Sequence, residues 1–239
     1  MRMNGKKDGV LMACYACLLV IGGLLTWLKY DYNAVKMEDV REACGYVSVS
    51  ATPVEAPKIA LTFDDGPSAA WTPALLDGLK ERGVKATFFL IGENADKNPE
   101  IVKRMAEEGH LIGNHTYHHV ELTKVTEKEA RSELADTSAA IVRITGKEPE
   151  YMRPPFGAWQ RKLEQEIRML PVLWTIDPLD WTTENQDEIV NKVVTEAEEN
   201  DIILLHDCYK SSVEAGLRIV DILQEEGFVF VTVDELLLN

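Results

Sequence analysis

From Lys58 to the C-terminus the sequence alternates short β-rich runs with longer helical stretches. This alternation restricts the fold more than any other feature. The runs are KIALTF (58–63), KATFFLI (85–91), HLIGN (110–114), EYMR (150–153), PVLWTI (171–176), DIILLH (201–206) and FVFVTV (228–233). Helical stretches fall between them near 72–82, 98–108, 126–145, 160–170, 185–199 and 212–226. Thr126 and Glu129 have capping-box spacing, and Gly83, Gly109, Gly146 and Gly227 stand where helix C-termini favour glycine. Strand–helix–strand units cross over right-handed and build a parallel sheet. An α/β domain over 58–239 follows, either closed into a barrel or open and doubly wound; periodicity does not choose between them.

The polar residues say more. Asp64 and Asp65 follow the first run, His115 and His119 the third, and Arg153 ends the fourth. Asp177, Asp180 and Trp181 follow the fifth, and His206 ends the sixth. All sit at the C-terminal ends of predicted strands, the face on which parallel α/β folds assemble their sites.

Each group has a chemistry and a bland alternative. Asp64 and Asp65 precede Gly66-Pro67, a sequence that must turn. Neighbouring side chains there point apart, so one carboxylate can bind a metal while the other acts as a base; an Asx turn is the plain alternative. His115 and His119 are four apart, a spacing used by two-histidine metal sites, although surface histidines share it. With one carboxylate they make a three-ligand set with open positions, as a catalytic metal needs. Arg153, in RPPFG, is either part of a stiff corner or a bidentate partner that keeps a carboxylate ionised. His206 ends a very apolar strand and reads as an edge histidine or, beside Asp180, as a general acid titrating above the ordinary value of about 6.5. His110 and His118 read as structural, with His118 able to compete with His119.

TFDDG (62–66), HTYHH (115–119), RPPF (153–156), DPLDW (177–181) and LLH (204–206) stand in the order of the five motifs of the polysaccharide deacetylases, the NodB-homology carbohydrate esterases. Residues 58–239 resemble that family. The resemblance implies a distorted (β/α) barrel of about seven parallel strands and a metal-dependent hydrolase. Such an enzyme removes acetyl groups from N-acetylglucosamine in peptidoglycan or a chitin-like polymer. It implies Asp64 as base, Asp65, His115 and His119 as metal ligands, and His206 as acid. Arg153 would orient Asp64, and Asp180 would tune His206. Trp181 and Leu204 would line the acetyl-methyl pocket, and the backbone N–H of Phe156, where many members carry Tyr, would face the oxyanion. Zinc suits two histidines and a carboxylate; cobalt, manganese, nickel or iron fit the same ligands. An O-acetyl esterase of the xylan type could use the same residues, whereas an inactive wall-binding module would not need the complete set.

The N-terminus differs in kind. Val10 to Leu28 is 19 residues without a charge, preceded by Arg2, Lys6 and Lys7 and followed by Lys29 and Tyr30. As a helix it spans about 28 Å, close to the hydrocarbon thickness of a bilayer. With no small-x-small cleavage site after Leu28, it reads as a single-pass signal-anchor rather than a cleaved signal. Residues 1–9 are then its cytoplasmic flank, 29–57 an extracytoplasmic linker and 58–239 an exported catalytic domain. The linker ends in SVSATPVEAP (48–57), a composition that favours extended chain.

Charge supports this division. The chain carries 25 basic and 40 acidic side chains, a net −15. Both signs are equally represented in 1–57, so the whole excess falls on 58–239. Such a domain is a poor partner for nucleic acid or anionic lipid; the expected partner is an acetylated amino-sugar polymer, and the expected state a monomer. The four cysteines add no disulfide framework. Cys14 and Cys17 lie in the apolar run, while Cys44 and Cys208 stand alone.

Overall fold

The computed structural model describes residues 55–238, apart from 161 and 163–166. The expected membrane segment at 10–28 and most of the linker lie outside these residues. Among the described residues no helix is long and apolar enough to cross a membrane.

Within the described residues seven strands form one sheet: β1 (Lys58–Asp64), β2 (Thr87–Leu90), β3 (Leu111–Asn114), β4 (Tyr151–Met152), β5 (Leu170–Pro171), β6 (Ile202–His206) and β7 (Val229–Val231). All pairings are parallel, in the order β5-β4-β3-β2-β1-β6, with β7 against Lys58–Ala60 of β1. The sheet curls until a single parallel bridge, Ile176 to Ile203, joins the chain beyond β5 to β6. The result is a curled half-barrel of parallel strands, the distorted form of the barrel expected, with Thr175, Ile176 and Leu204 hydrogen-bonding across the seam.

Among the described residues seven α-helices accompany the strands: α1 (Thr72–Glu81), α2 (Gly92–Lys97), α3 (Pro99–Glu107), α4 (Glu127–Thr145), α5 (Gln186–Glu196), α6 (Lys210–Glu225) and α7 (Val233–Leu237). Thr126 caps α4 as its spacing predicts: its hydroxyl accepts from the Glu129 N–H while the Glu129 carboxylate accepts from the Thr126 N–H. Gly146 closes the same helix with φ 74°, a conformation that costs other residues strain.

Strand alternation sorts the core into two layers. Ile59, Leu61, Phe63, Phe88, Leu90, Ile203 and Leu205 pack outward against Leu75, Val102, Ile189 and Ile219 of the helices. The intervening residues Ala60, Phe89 and Ile202 turn inward and meet Tyr151, Val172, Val231 and Leu236. The inward set therefore includes Thr62, Asp64, Leu204 and His206, all on the period of Ala60 and Ile202.

Three expectations need correction. The run 171–176 is not one strand. β5 stops at Pro171, because the Val172 and Leu173 carbonyls accept from the Arg153 guanidinium instead of a neighbouring strand. The helix expected over 160–170 cannot reach its end, since Leu170 begins β5; its middle lies outside the described residues. The last strand stops at Val231, where Thr232 and Glu235 form a capping box that starts α7. The short helix α2 was not foreseen; its sequence GENADK carries no apolar stripe.

Candidate active site

Side chains from β1, β3, β4, β6 and the loops after them meet at the C-terminal end of the barrel. They line a cavity of about 410 Å³ bounded by Asp64, Asp65, His115, His119, Phe156, Trp174, Asp177, Trp181, Leu204, His206 and Tyr209. Of the expected residues, only Arg153 and Asp180 do not line it. Both are buried directly behind residues that do. Trp174, Asp177 and Tyr209 were not singled out as site residues; only Asp177 carried a signal, its place at the end of the fifth predicted strand.

The two adjacent aspartates diverge. Asp64 faces inward, 3% exposed, and its Oδ1 accepts from Arg153 Nη1 at 2.8 Å. Arg153 is wholly buried and spends its donors on fixed partners: Thr62 Oγ1 at 2.7 Å and the Val172 and Leu173 carbonyls at 3.2 and 3.1 Å. Its guanidinium lies 4.3 Å from the Phe89 ring centroid. Burial pulls this guanidinium below its ordinary pKa, and the charge and hydrogen bond of Asp64 oppose that pull. The Asp64 carboxylate is thus held in one orientation, with Oδ2 toward the histidines, 3.7 Å from His115 Nε2.

Asp65 turns the other way through a left-handed backbone, φ 71°. Its Oδ1 lies 3.4 Å from His115 Nε2 and 3.3 Å from His119 Nε2, is buried, and has no hydrogen-bond partner. Burial works against its charge, but His115, then His119 and His206, outweigh it and hold the carboxyl below its ordinary value. His115 Nδ1 lies 2.6 Å from the Arg153 carbonyl oxygen. A carbonyl only accepts, so Nδ1 carries the proton and Nε2 presents a lone pair toward Asp65. Ligand atoms of Asp65, His115 and His119 all lie within 4.8 Å of one another. An orphaned carboxylate oxygen facing two imidazole nitrogens fits a divalent cation such as zinc. His118 does not compete: its Nδ1 pairs with Glu133 Oε1 at 2.8 Å.

Across the cavity, Asp180 is 1% exposed and grips His206 twice, accepting from its Nδ1 at 2.8 Å and its backbone N–H at 2.8 Å. Burial alone would lower this imidazole's pKa. The Asp180 hydrogen bond and charge, joined by Asp64 and Asp65, raise it to about 9, so the ring is protonated at neutral pH. With Nδ1 taken by Asp180, Nε2 is the nitrogen left for a proton transfer.

Leu204 lies buried below His206, whereas Trp181 and Phe156 are 56% and 66% exposed at the rim. The Phe156 ring stands edge-on to His119, 4.8 Å between centroids. Among the described residues six non-glycine positions have positive φ, and five of them, Asp65, Thr116, His119, Phe156 and Leu179, belong to or adjoin this site. Backbone strain of about 1–3 kcal/mol per residue persists only where surrounding structure enforces it.

Residues 51–173 match the family described as Polysaccharide deacetylase. A peptidoglycan-N-acetylglucosamine deacetylase of Bacillus cereus is 42% identical over 194 residues, covering 78% of this chain and 70% of that protein. The peptidoglycan-N-acetylglucosamine deacetylase PgdA of Listeria monocytogenes is 39% identical over 210 residues, covering 84% of this chain; the chain spans only 45% of PgdA's length. The structure of peptidoglycan deacetylase PdaC from Bacillus subtilis superposes with a TM-score of 0.75 at 40% identity, covering 76% of this chain and 90% of that one. The chain belongs to the polysaccharide deacetylase family.

Proposed function

We propose that the domain is a metal-dependent N-deacetylase of peptidoglycan, hydrolysing the acetamide of its N-acetylated sugars to acetate and a free amine. The observation that carries this reading is the pairing of an orphaned Asp65–His115–His119 cluster with two differently prepared groups, Asp64 and His206, around one cavity. The substrate class comes from the relatives, whose names specify peptidoglycan deacetylation.

Asp65, His115 and His119 would hold the metal. When bound, it supplies Lewis-acid chemistry, acidifying water and polarising the acyl oxygen. Asp64, oriented by the Arg153 hydrogen bond, takes a proton from the attacking water as its oxygen bonds to the acyl carbon. The Phe156 N–H donates to the oxyanion that develops. His206, cationic through Asp180, delivers its Nε2 proton to the nitrogen as the carbon–nitrogen bond breaks. Leu204 and Trp181 accept the methyl group. An amide needs this acid more than an ester does, because an amine leaves poorly without a proton, and a His206 held protonated at neutral pH supports N- over O-deacetylation.

Residues 10–28 serve in this reading as a membrane anchor that places the domain outside the cell, against the wall. Release of acetate from N-acetylglucosamine oligomers, abolished by a chelator and restored by zinc or cobalt, tests the activity. Release from acetylated xylan alone would replace it with the O-esterase reading, and no release from either would leave a binding module.

A further inference from the structure

Asp207, immediately after the acid His206, is a buried carboxylate that the chemistry above does not use. It is 0% exposed. The pairing of Asp64 with His206 places Asp207 one step beyond the register, level with Asp65 on the neighbouring strand. Asp207 Oδ2 accepts from the Thr72 hydroxyl at 2.5 Å, and Oδ1 is buried without a partner. The same Thr72 hydroxyl accepts from the Ser68 N–H at 2.7 Å, so the carboxylate reaches the loop after β1 through one side chain. It also touches that loop directly: a Cβ on Gly66 would lie 2.4 Å from both Asp207 oxygens. On the other side of the loop, Asn94 Nδ2 donates to the Asp65 carbonyl at 2.8 Å and the Ile91 N–H to the Gly66 carbonyl at 3.2 Å. The loop carrying Asp65 is therefore clamped between β2 and β6.

We propose that Asp207 is a positioning residue for the metal site: by packing under Gly66 and fixing Ser68 through Thr72, it holds the left-handed backbone from which Asp65 faces His115 and His119. A hydrophobic residue of similar size could fill the space but could not accept the Thr72 hydroxyl. An alanine at Gly66 would collide with the carboxylate, which explains why the chain has no side chain there. Since Asp207 follows His206 in sequence, one short segment presents the acid to the cavity and braces the metal ligand across from it.

The inference rests on Asp65, His115 and His119 binding a metal, and not on the identity of the substrate. The test is the Zn²⁺ affinity of the full chain, read by competition with a chromophoric chelator, alongside the melting temperature without metal. Supporting residues of this kind typically carry about 10–100-fold in metal affinity. Asp207→Ala and Thr72→Val are expected to weaken Zn²⁺ binding about tenfold or more. Asp207→Asn, which keeps an acceptor for the Thr72 hydroxyl, and Thr72→Ser, which keeps the hydroxyl, should stay within about threefold of wild type. Met105→Ala, a fully buried change in α3, supplies a comparable melting loss and should leave the affinity unchanged. Wild-type affinity in Thr72→Val overturns the proposal even if Asp207→Ala fails to fold. An equal loss in Met105→Ala overturns it too, since the effect would then be general instability. A wild-type chain that binds no Zn²⁺ removes the metal site and this inference together, whereas binding without acetate release removes only the proposed activity.

Discussion

At the C-terminal end of the barrel His206 is raised to about 9 although burial pulls it down, because Asp180 grips its ring and backbone. At the opposite end His110, also buried, is lowered to about 4, chiefly by that same burial and then by the charge of Lys85. Its Nδ1 accepts from the Ala86 N–H at 3.1 Å, and its ring packs edge-on against Phe88. One histidine is thereby kept cationic and the other neutral. The cavity beside His110 is also larger, about 570 Å³ against about 410 Å³, and it too has acidic residues on its walls, Glu148, Glu150, Asp234 and Glu235. Size and composition do not separate the two ends. What separates them is convergence: the lower end has a partnerless carboxylate oxygen of its own on Asp234, but among the described residues only Asp65, His115 and His119 form a three-ligand group, and it lies beside an Arg153-bound Asp64 and five strained backbones.

The comparison breaks first if the upper cluster is not a metal site. His115→Ala and His119→Ala should each lose both bound zinc and acetate release to the limit of detection, since an open three-ligand site has no ligand to spare. Full occupancy in His119→Ala, measured by elemental analysis, would remove that residue from the cluster.

His206→Ala should cost about 10²–10⁴ in kcat on amide substrates, the range of a general acid. It should cost much less on activated aryl acetates, whose leaving groups need no proton. Equal losses on both would defeat the acid assignment.

Asp180→Asn should lower the His206 pKa, read by NMR titration of the metal-free protein. The sign follows from linkage: the raised folded-state pKa stabilises the fold fully below about pH 6.5 and loses that contribution as pH rises through about 9. Asp180→Asn should therefore flatten the alkaline fall in stability, and an unmoved His206 titration would contradict the pairing.

The smallest effect belongs to the lower end. His110→Phe leaves the Ala86 N–H without its acceptor and should cost about 1–3 kcal/mol of stability with kcat unchanged. Because the His110 pKa is lowered, the wild type loses stability as pH falls from about 6.5 towards 4; the variant should lose that slope. A drop in kcat would show that the lower end contributes to the reaction.

Much of the upper site was legible in the sequence because strand period and motif position act together. Asp64 and His206 fall on the inward period of their strands, and each polar residue follows a recognisable apolar run. The sequence also divides Asp64 from Asp65, since consecutive side chains cannot face one way. It did not reveal where β5 stops, because that depends on Arg153, 19 residues before Val172, taking carbonyls that a strand would use. Nor did it reveal Asp207 as a brace, because its partners Thr72 and Gly66 lie 135 and 141 positions away and meet it only in the parallel register. Short α2 and α7 escaped for a simpler reason: five or six residues are too few to establish a helical period.

The central claim is that two neighbouring carboxylates, turned apart by one left-handed residue, divide the work at the upper end. Metal content and acetate release measured together on Asp64→Asn and Asp65→Asn test it most directly. Asp64→Asn should keep its zinc and lose at least about 10² in turnover, whereas Asp65→Asn should lose the zinc and with it the activity. Zinc retained in Asp65→Asn and lost in Asp64→Asn would contradict the account.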